Sequence, residues 1–305
     1  MAIYKRVEEY LEYCKYWKEL DEKTLKAYKI DLKQFFTTVS RDTPQKDEIE
    51  QYITELHKTY KQKTVKRKIA SIKAFYNYLE GQDLIDVNPF RKINVKFKET
   101  VILPRIIPRA EIEHLLNYMY SCHRNTKRTG NNYILRDIAI VEVFFATGAR
   151  VYEISNIRAD CVDLGSGSVR IMGKGGRERY IQIVDEDVLG ILRQYYSKNK
   201  EMIKKSGYFF INQLGRRFSE QSVRNMLKKY TKHAGLDRNI TPHMFRHSFA
   251  TYLIEEGVDI SYVQHILGHS SIRTTQIYIH IAARKQAEIL RNMHPRKQMS
   301  INVAA

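Results

Sequence analysis

Apolar residues recur at three- and four-residue steps through the first part of the chain. Val7, Leu11, Cys14 and Trp17 or Lys18 form one such row, and Leu25, Tyr28, Leu32 and Phe35 a second. Ile49, Tyr52 or Ile53, Leu56 and Tyr60 form a third, and Val65, Ile69, Ile72, Phe75 and Leu79 a fourth. That spacing lines one face of a helix, so four amphipathic helices packed as a small bundle are expected. Thr24, Thr43 before Pro44, and Thr64 are the expected start signals for three of them.

The stretch DVNPFRKINVKFKETVILPRIIPRAE interrupts the period. It holds Pro89, Pro104 and Pro108 and several β-branched residues, which predicts an extended linker. Beyond it the pattern is mixed. Ile112–Tyr120 and Ile134–Phe145 read as helices. SVRIMGKGGRERYIQIV alternates around Gly175 and Gly176 and predicts a β-hairpin. YFFIN is expected to add a third short strand. Helices are expected again at Ser219–Thr231, Thr241–Glu255, Ile260–Leu267 and Ser271–Leu290. The fold class is therefore mainly α with a small β-sheet: a helical N-terminal bundle, then a mixed α/β domain. The expected boundaries are 1–90 for the bundle, 91–107 for the linker, 108–296 for the second domain and 297–305 for a tail.

Charge narrows the partner. The chain of 305 residues carries a net charge of +18. Residues 1–100 contribute +5 and the remainder +13, so both parts are basic. Such a charge repels itself unless an acidic partner is present, and nucleic acid fits best. An anionic membrane surface is the rival, but no apolar run reaches the length of a membrane span. MAIYKRVEEYLEY carries acidic residues where a signal peptide is apolar. A cytoplasmic protein is expected. Cys14, Cys122 and Cys161 are odd in number and far apart, which argues against disulfides and a zinc site.

Four segments hold candidate chemistry. In TPHMFRHSFAT, Thr241 and Pro242 suit a helix start. His243 and Arg246 then share one face of the first turns, where free backbone N–H groups favour an anion. A capped helix with a surface arginine fits the same residues. In FFATGARVYEIS, Gly148 separates two helical runs, Arg150 opens the second, and Glu153 is placed to orient the guanidinium; a surface salt bridge is the plainer reading. In GKGGRER, Lys174 lies at or beside the hairpin tip, as a group that reaches into a groove or a solubilising turn residue. In LGHSSIRTTQIYIH, Gly268 fits the position past a helix end. His269 follows in a loop, and Tyr278 rides on the next helix as a reactive phenol or a core aromatic. His247 reads as a packed core histidine. In the first domain, Lys63, Lys66 and Arg67 of KQKTVKRK are candidate duplex contacts, or a solvated helix start.

Arg150, Lys174, His243, Arg246, His269 and Tyr278 occur in this order, each in its own local context. Through TGARVYEIS, GKGGRER, HMFRHSFAT and LGHSSIRTTQIYIH, the second part resembles the tyrosine recombinase family, the site-specific recombinases that include phage integrases. More loosely, the N-terminal bundle looks like that family's core-binding domain, and the second domain like its catalytic domain. Phe245 stands where leucine is commoner in the family word.

The resemblance implies that Tyr278 attacks a DNA phosphodiester, forms a 3′-phosphotyrosyl bond and releases a 5′-hydroxyl. Arg150 and Arg246 would neutralise the phosphate. Lys174 would be the general acid, His243 the proton acceptor or relay, and His269 a hydrogen-bond donor to the phosphate. It also implies a homotetramer on two double-stranded DNA sites, with a related recombinase or DNA-bending accessory proteins as further partners. The reaction would pass through a Holliday junction. The tail after Tyr278 would dock on a neighbouring subunit. No carboxylate cluster suits a metal and no ATP-binding motif is present, so no metal and no cofactor are expected. The start of the chain close to the bundle points to Xer-type enzymes or small mobile-element integrases. The alternatives are a type IB topoisomerase that relaxes DNA and a catalytically idle DNA-binding regulator.

Overall fold

The computed structural model describes residues 3–95, 97, 104–126, 133–173, 176, 178–268, 287 and 290–299. The chain divides into two compact units, Met1–Thr100 and Val101–Ala305.

The first unit is a helical bundle of α1 (Val7–Tyr16), α2 (Glu22–Thr38), α3 (Lys46–Thr59) and α4 (Gln62–Gly81). The periodic rows face its core: Leu32, Phe35, Ile49, Leu56, Val65, Ile72, Phe75 and Leu79 are buried. Aromatic rings fill much of the centre, with Phe35 edge-on to Tyr52 at 5.0 Å and Tyr10 edge-on to Phe75 at 5.2 Å. Trp17 departs from its expected row. Helix α1 stops at Tyr16, and Trp17 is 80% exposed.

The threonine start signals are also corrected. Asp21 caps α2, accepting from Thr24 N at 2.8 Å, so Thr24 lies inside the helix. Gln45 precedes α3, where Glu48 Oε2 accepts from its N–H at 2.9 Å. Lys61 precedes α4 without a side-chain cap. A carboxylate is a better acceptor for free helix N–H groups than a hydroxyl near the same place.

The expected linker is packed at its described ends. Phe90 is buried in the bundle core, and Ile93, Val95 and Phe97 pack against it. Ile107 is buried in the second unit, where its N–H donates to Ser248 Oγ at 2.8 Å.

The second unit surrounds α6 (Tyr133–Thr147), whose residues from Ile134 to Phe144 are all buried. Helices α5 (Arg109–Thr126), α8 (Glu186–Ser206) and α10 (Pro242–Glu255) pack on α6. Helices α7 (Val151–Ser155), α9 (Glu220–His233) and α11 (Ile260–Leu267) complete the helical part. The antiparallel sheet runs in the order β1 (Val162–Asp163), β2 (Ser168–Met172), β3 (Glu178–Gln182). The expected hairpin forms with Val169 opposite Ile181 and Ile171 opposite Arg179.

The third strand is β1, not YFFIN. The Tyr195 hydroxyl donates to Phe209 O at 3.0 Å and accepts from Ile211 N at 3.1 Å, so a side chain takes backbone groups a ladder would need. The segment makes only isolated bridges, Arg158 to Tyr208 and Ile211 to Arg217. Helix α8 has no counterpart among the expected elements, though its start is well marked: Asp185 accepts from the backbone N–H groups of Asp187 and Val188. No described helix is long and apolar enough to cross a membrane.

Candidate active site

The site is built on the turn between α6 and α7. Thr147 Oγ1 ends α6 by donating to Val143 O at 2.6 Å and accepting from Ala149 N at 3.2 Å. Gly148 adopts φ 59°, a left-handed conformation that favours glycine. Space also demands glycine there, because a Cβ would lie 2.5 Å from Phe249 Cδ1 and 2.8 Å from Leu267 Cδ2. The chain then enters α7 with Arg150 as its N-cap.

Glu153, three residues on, takes up Arg150 twice. Arg150 N donates to Glu153 Oε2 at 2.7 Å, and Arg150 Nη1 donates to Oε1 at 2.8 Å. Arg179 on β3 completes the set, Nη1 donating to Oε1 at 3.0 Å and Nη2 to Oε2 at 2.7 Å. The Glu153 side chain is 1% exposed, that of Arg179 11% and that of Arg150 37%. Burial pushes the Glu153 carboxyl up, but the hydrogen bonds and charges of Arg179 and Arg150 outweigh it and hold it below the usual range. The carboxylate is therefore charged at neutral pH. The expectation that Glu153 orients Arg150 holds, but the pair is not a surface salt bridge.

Helix α10 supplies the second arginine. Thr241 is its N-cap and Pro242 its first residue, although the Thr241 side chain makes no capping hydrogen bond. His243 is exposed, whereas Arg246 is buried. Arg246 Nη1 donates to Gly148 O at 2.9 Å and Nη2 to Leu267 O at 2.8 Å. Its guanidinium thus lies against the turn that carries Arg150 and ties that turn to the end of α11. Burial pushes the His247 imidazole down to about 4, and nearby His243 and Arg246 add to the effect, so it is neutral at pH 7.

Helix α11 ends at Leu267, and Gly268 follows in the left-handed conformation with φ 63°. Arg179 packs against this glycine: a Cβ there would lie 3.2 Å from Arg179 Cδ and 3.2 Å from its Nη1. Arg150, Glu153, Arg179, Arg246 and Gly268 therefore form one connected group drawn from four separate stretches of chain. Lys174, His269 and Tyr278 lie outside the described residues. Two of the three adjoin the group in sequence: Lys174 precedes β3 by four residues, and His269 follows Gly268. Arg179 had no place among the expected site residues. Its signal was the strand alternation, since Arg179 shares its face with the buried Ile181 and Ile183 while Tyr180 points outward.

In the first unit, Lys63, Lys66 and Arg67 are exposed along the start of α4. Lys66 Nζ lies 5.8 Å from the centre of the Phe97 ring. Arg67 is tied down by the buried Asp31, donating from both Nη atoms, with Nη2 to Oδ1 at 3.0 Å. Lys68 is buried and donates to Asp31 Oδ1 at 3.0 Å and Gln34 Oε1 at 2.6 Å, so one cation of this run serves the bundle core.

Two guanidinium groups are thus held at one backbone turn, Arg150 by Glu153 and Arg246 by the carbonyls of Gly148 and Leu267. Comparison with known proteins gives the family. Residues 106–285 match the phage integrase family, and residues 7–83 match the phage integrase N-terminal SAM-like domain. The chain is 47% identical over 298 residues to a tyrosine recombinase of Agathobacter rectalis, covering 95% of this chain and 96% of that protein. The chain belongs to the phage integrase family of tyrosine recombinases. This recombinase is also 31% identical over 302 residues to the tyrosine recombinase XerD of Listeria innocua, covering 95% of this chain and 98% of that one. Its fold is similar to that of the XerH site-specific recombinase bound to palindromic difH substrate in a post-cleavage complex. That match has a TM-score of 0.73 at 18% identity and covers 95% of this chain and 85% of the other.

Proposed function

We propose that this recombinase cuts and rejoins double-stranded DNA at specific sites through a covalent bond between Tyr278 and a 3′-phosphate. The observation that carries the reading is the convergence of Arg150 and Arg246 on the turn at Gly148, where Arg246 Nη1 donates to Gly148 O at 2.9 Å. Attack of the Tyr278 oxygen on the phosphorus forms the phosphotyrosyl bond, breaks the bond to the 5′-oxygen and releases a 5′-hydroxyl. Charge grows on the non-bridging oxygens during that step, and preorganised donors stabilise it. In this reading Arg150 and Arg246 supply them, and His269 adds a further hydrogen bond. Lys174 protonates the leaving 5′-oxygen, and His243 accepts or relays the tyrosine proton. The phosphodiester energy is kept in the covalent bond, so rejoining needs no nucleotide. The positive charge that other phosphoryl-transfer sites draw from Mg²⁺ comes here from side chains.

We place Lys63, Lys66 and Arg67 on the duplex backbone, the bundle within residues 1–90 and the catalytic domain within 108–296. The working assembly is a homotetramer on two sites that exchanges strands in pairs through a Holliday junction, in the cytoplasm. The test starts from a binding site selected with the full chain out of a randomised duplex pool. Nicked suicide duplexes carrying that site should give a covalent protein–DNA band, with or without chelator. Tyr278→Phe should lose the band and keep the binding. A band that persists in Tyr278→Phe, or that needs Mg²⁺ after exhaustive chelation, contradicts the mechanism. Relaxation of plasmid lacking the site, without exchange between sites, would make the enzyme a topoisomerase instead.

A further inference from the structure

Glu153 accepts four hydrogen bonds, two on each carboxylate oxygen. A carboxylate offers about four lone-pair sites, so the group is saturated. Arg179 fills two of them with the parallel fork that fits a carboxylate best. Arg150 fills the others with its backbone N–H and Nη1. Among the described residues, Arg150 Nε and Nη2 donate to nothing else, and the side chain is 37% exposed. The two arginines thus stand differently towards one acid: Arg179 is locked on it by both Nη atoms, and Arg150 is held by one. The Arg179 side chain is 11% exposed, its buried Nε has no hydrogen-bond partner among the described residues, and it packs on Gly268. An orphaned buried donor costs stability, so more than packing accounts for an arginine at this inward position of β3.

We propose that Arg179 is a positioning residue that occupies Glu153 so that Arg150 keeps its outer N–H groups turned to the scissile phosphate. Without Arg179, two lone pairs of a buried carboxylate are left open, and the nearest cation is Arg150. The guanidinium then swings into the bidentate pose on Glu153, and the donors meant for the phosphate are withdrawn. Lysine cannot substitute fully, because an ammonium is a point charge and not a planar fork. The inference rests on the proposed contact between Arg150 and the phosphate.

The test compares the full-length parent, Arg150→Ala, Arg179→Met, Arg179→Lys and the Arg150→Ala/Arg179→Met double variant in single-turnover cleavage. Each is given suicide duplexes with either a phosphodiester or a neutral methylphosphonate at the scissile position. Arg179→Met should cut the phosphodiester about 10- to 100-fold more slowly than the parent, below the ~10²–10³ loss of a phosphate donor itself, with duplex affinity changed less than about threefold. The double variant should be no slower than Arg150→Ala, because both changes act through one guanidinium. On methylphosphonate, which lacks the charge Arg150 neutralises, Arg179→Met should match the parent. If Arg179→Met does not fold, Arg179→Lys carries the test, with a smaller loss that also vanishes in the Arg150→Ala background. A parent-like rate for the Arg179 variants, an equal loss on both substrates, or a further loss in the double variant overturns the proposal. Parent-like phosphodiester cleavage by Arg150→Ala would instead bring down the phosphate reading beneath it.

Discussion

His247 sits beside Arg246 in sequence and differs from it in every physical respect. One is a buried cation fixed by two carbonyls; the other is a half-buried imidazole kept neutral, its pKa pushed down to about 4. In the unfolded chain the same imidazole titrates near its ordinary value of about 6.5. The unfolded state therefore binds more protons between those values, and stability falls as the pH drops through that window. Substituting His247→Asn removes this share of the acid loss. The thermal midpoint of the variant should decline less than that of the parent between about pH 6.5 and 4 and run parallel to it above pH 7. Parallel curves throughout the acid range would show that the imidazole is not held neutral. At this scale the sequence named Arg150, Glu153, His243 and Arg246, because each falls at a helix start or one turn beyond it. Arg179 escaped, since its partner Glu153 lies 26 residues away in sequence and only the folded sheet brings them together.

Local signals identified most of the elements. Helix α11 has the expected bounds, Ile260–Leu267, because Asp259 and Gly268 mark its two ends. Periodicity likewise found the four bundle helices. Helix α8 was missed although Val188, Leu189, Ile191, Leu192 and Tyr195 supply a buried face, because its second half carries few apolar residues to continue the row. YFFIN was misassigned because the Tyr195 hydroxyl, a tertiary partner, takes its backbone groups. The turn at Gly148 couples three elements, since Arg246 of α10 and Leu267 of α11 meet it. Gly148→Ala forces an L residue into the left-handed region and a methyl into Phe249 and Leu267. Denaturant unfolding should show a loss of about 2–4 kcal/mol. A change below about 0.5 kcal/mol, typical of an unconstrained surface site, would mean the turn is not built this tightly.

Across the whole molecule, charge was legible from composition alone, whereas its division between fold and partner was not. Asp31 draws Lys68 into the bundle and pairs with Arg67, which stays exposed with Lys63 and Lys66. Lys63→Ala and Lys66→Ala should each weaken duplex binding on any sequence and lower the slope of log affinity against log salt by about 1. Unchanged slopes would place the duplex elsewhere on the basic surface. Lys68→Ala should instead destabilise the fold, because it leaves Asp31 with less compensation in a buried setting. The central claim concerns one bond, between the oxygen of residue 278 and a DNA 3′-phosphate. Its most direct test is to trap the covalent complex on a suicide duplex, digest it, and sequence the nucleotide-bearing peptide by mass spectrometry. The adduct should map to Tyr278, with the nucleotide joined through its 3′-phosphate and the other strand end bearing a free 5′-hydroxyl. An adduct on another residue, or joined through a 5′-phosphate, would contradict the account.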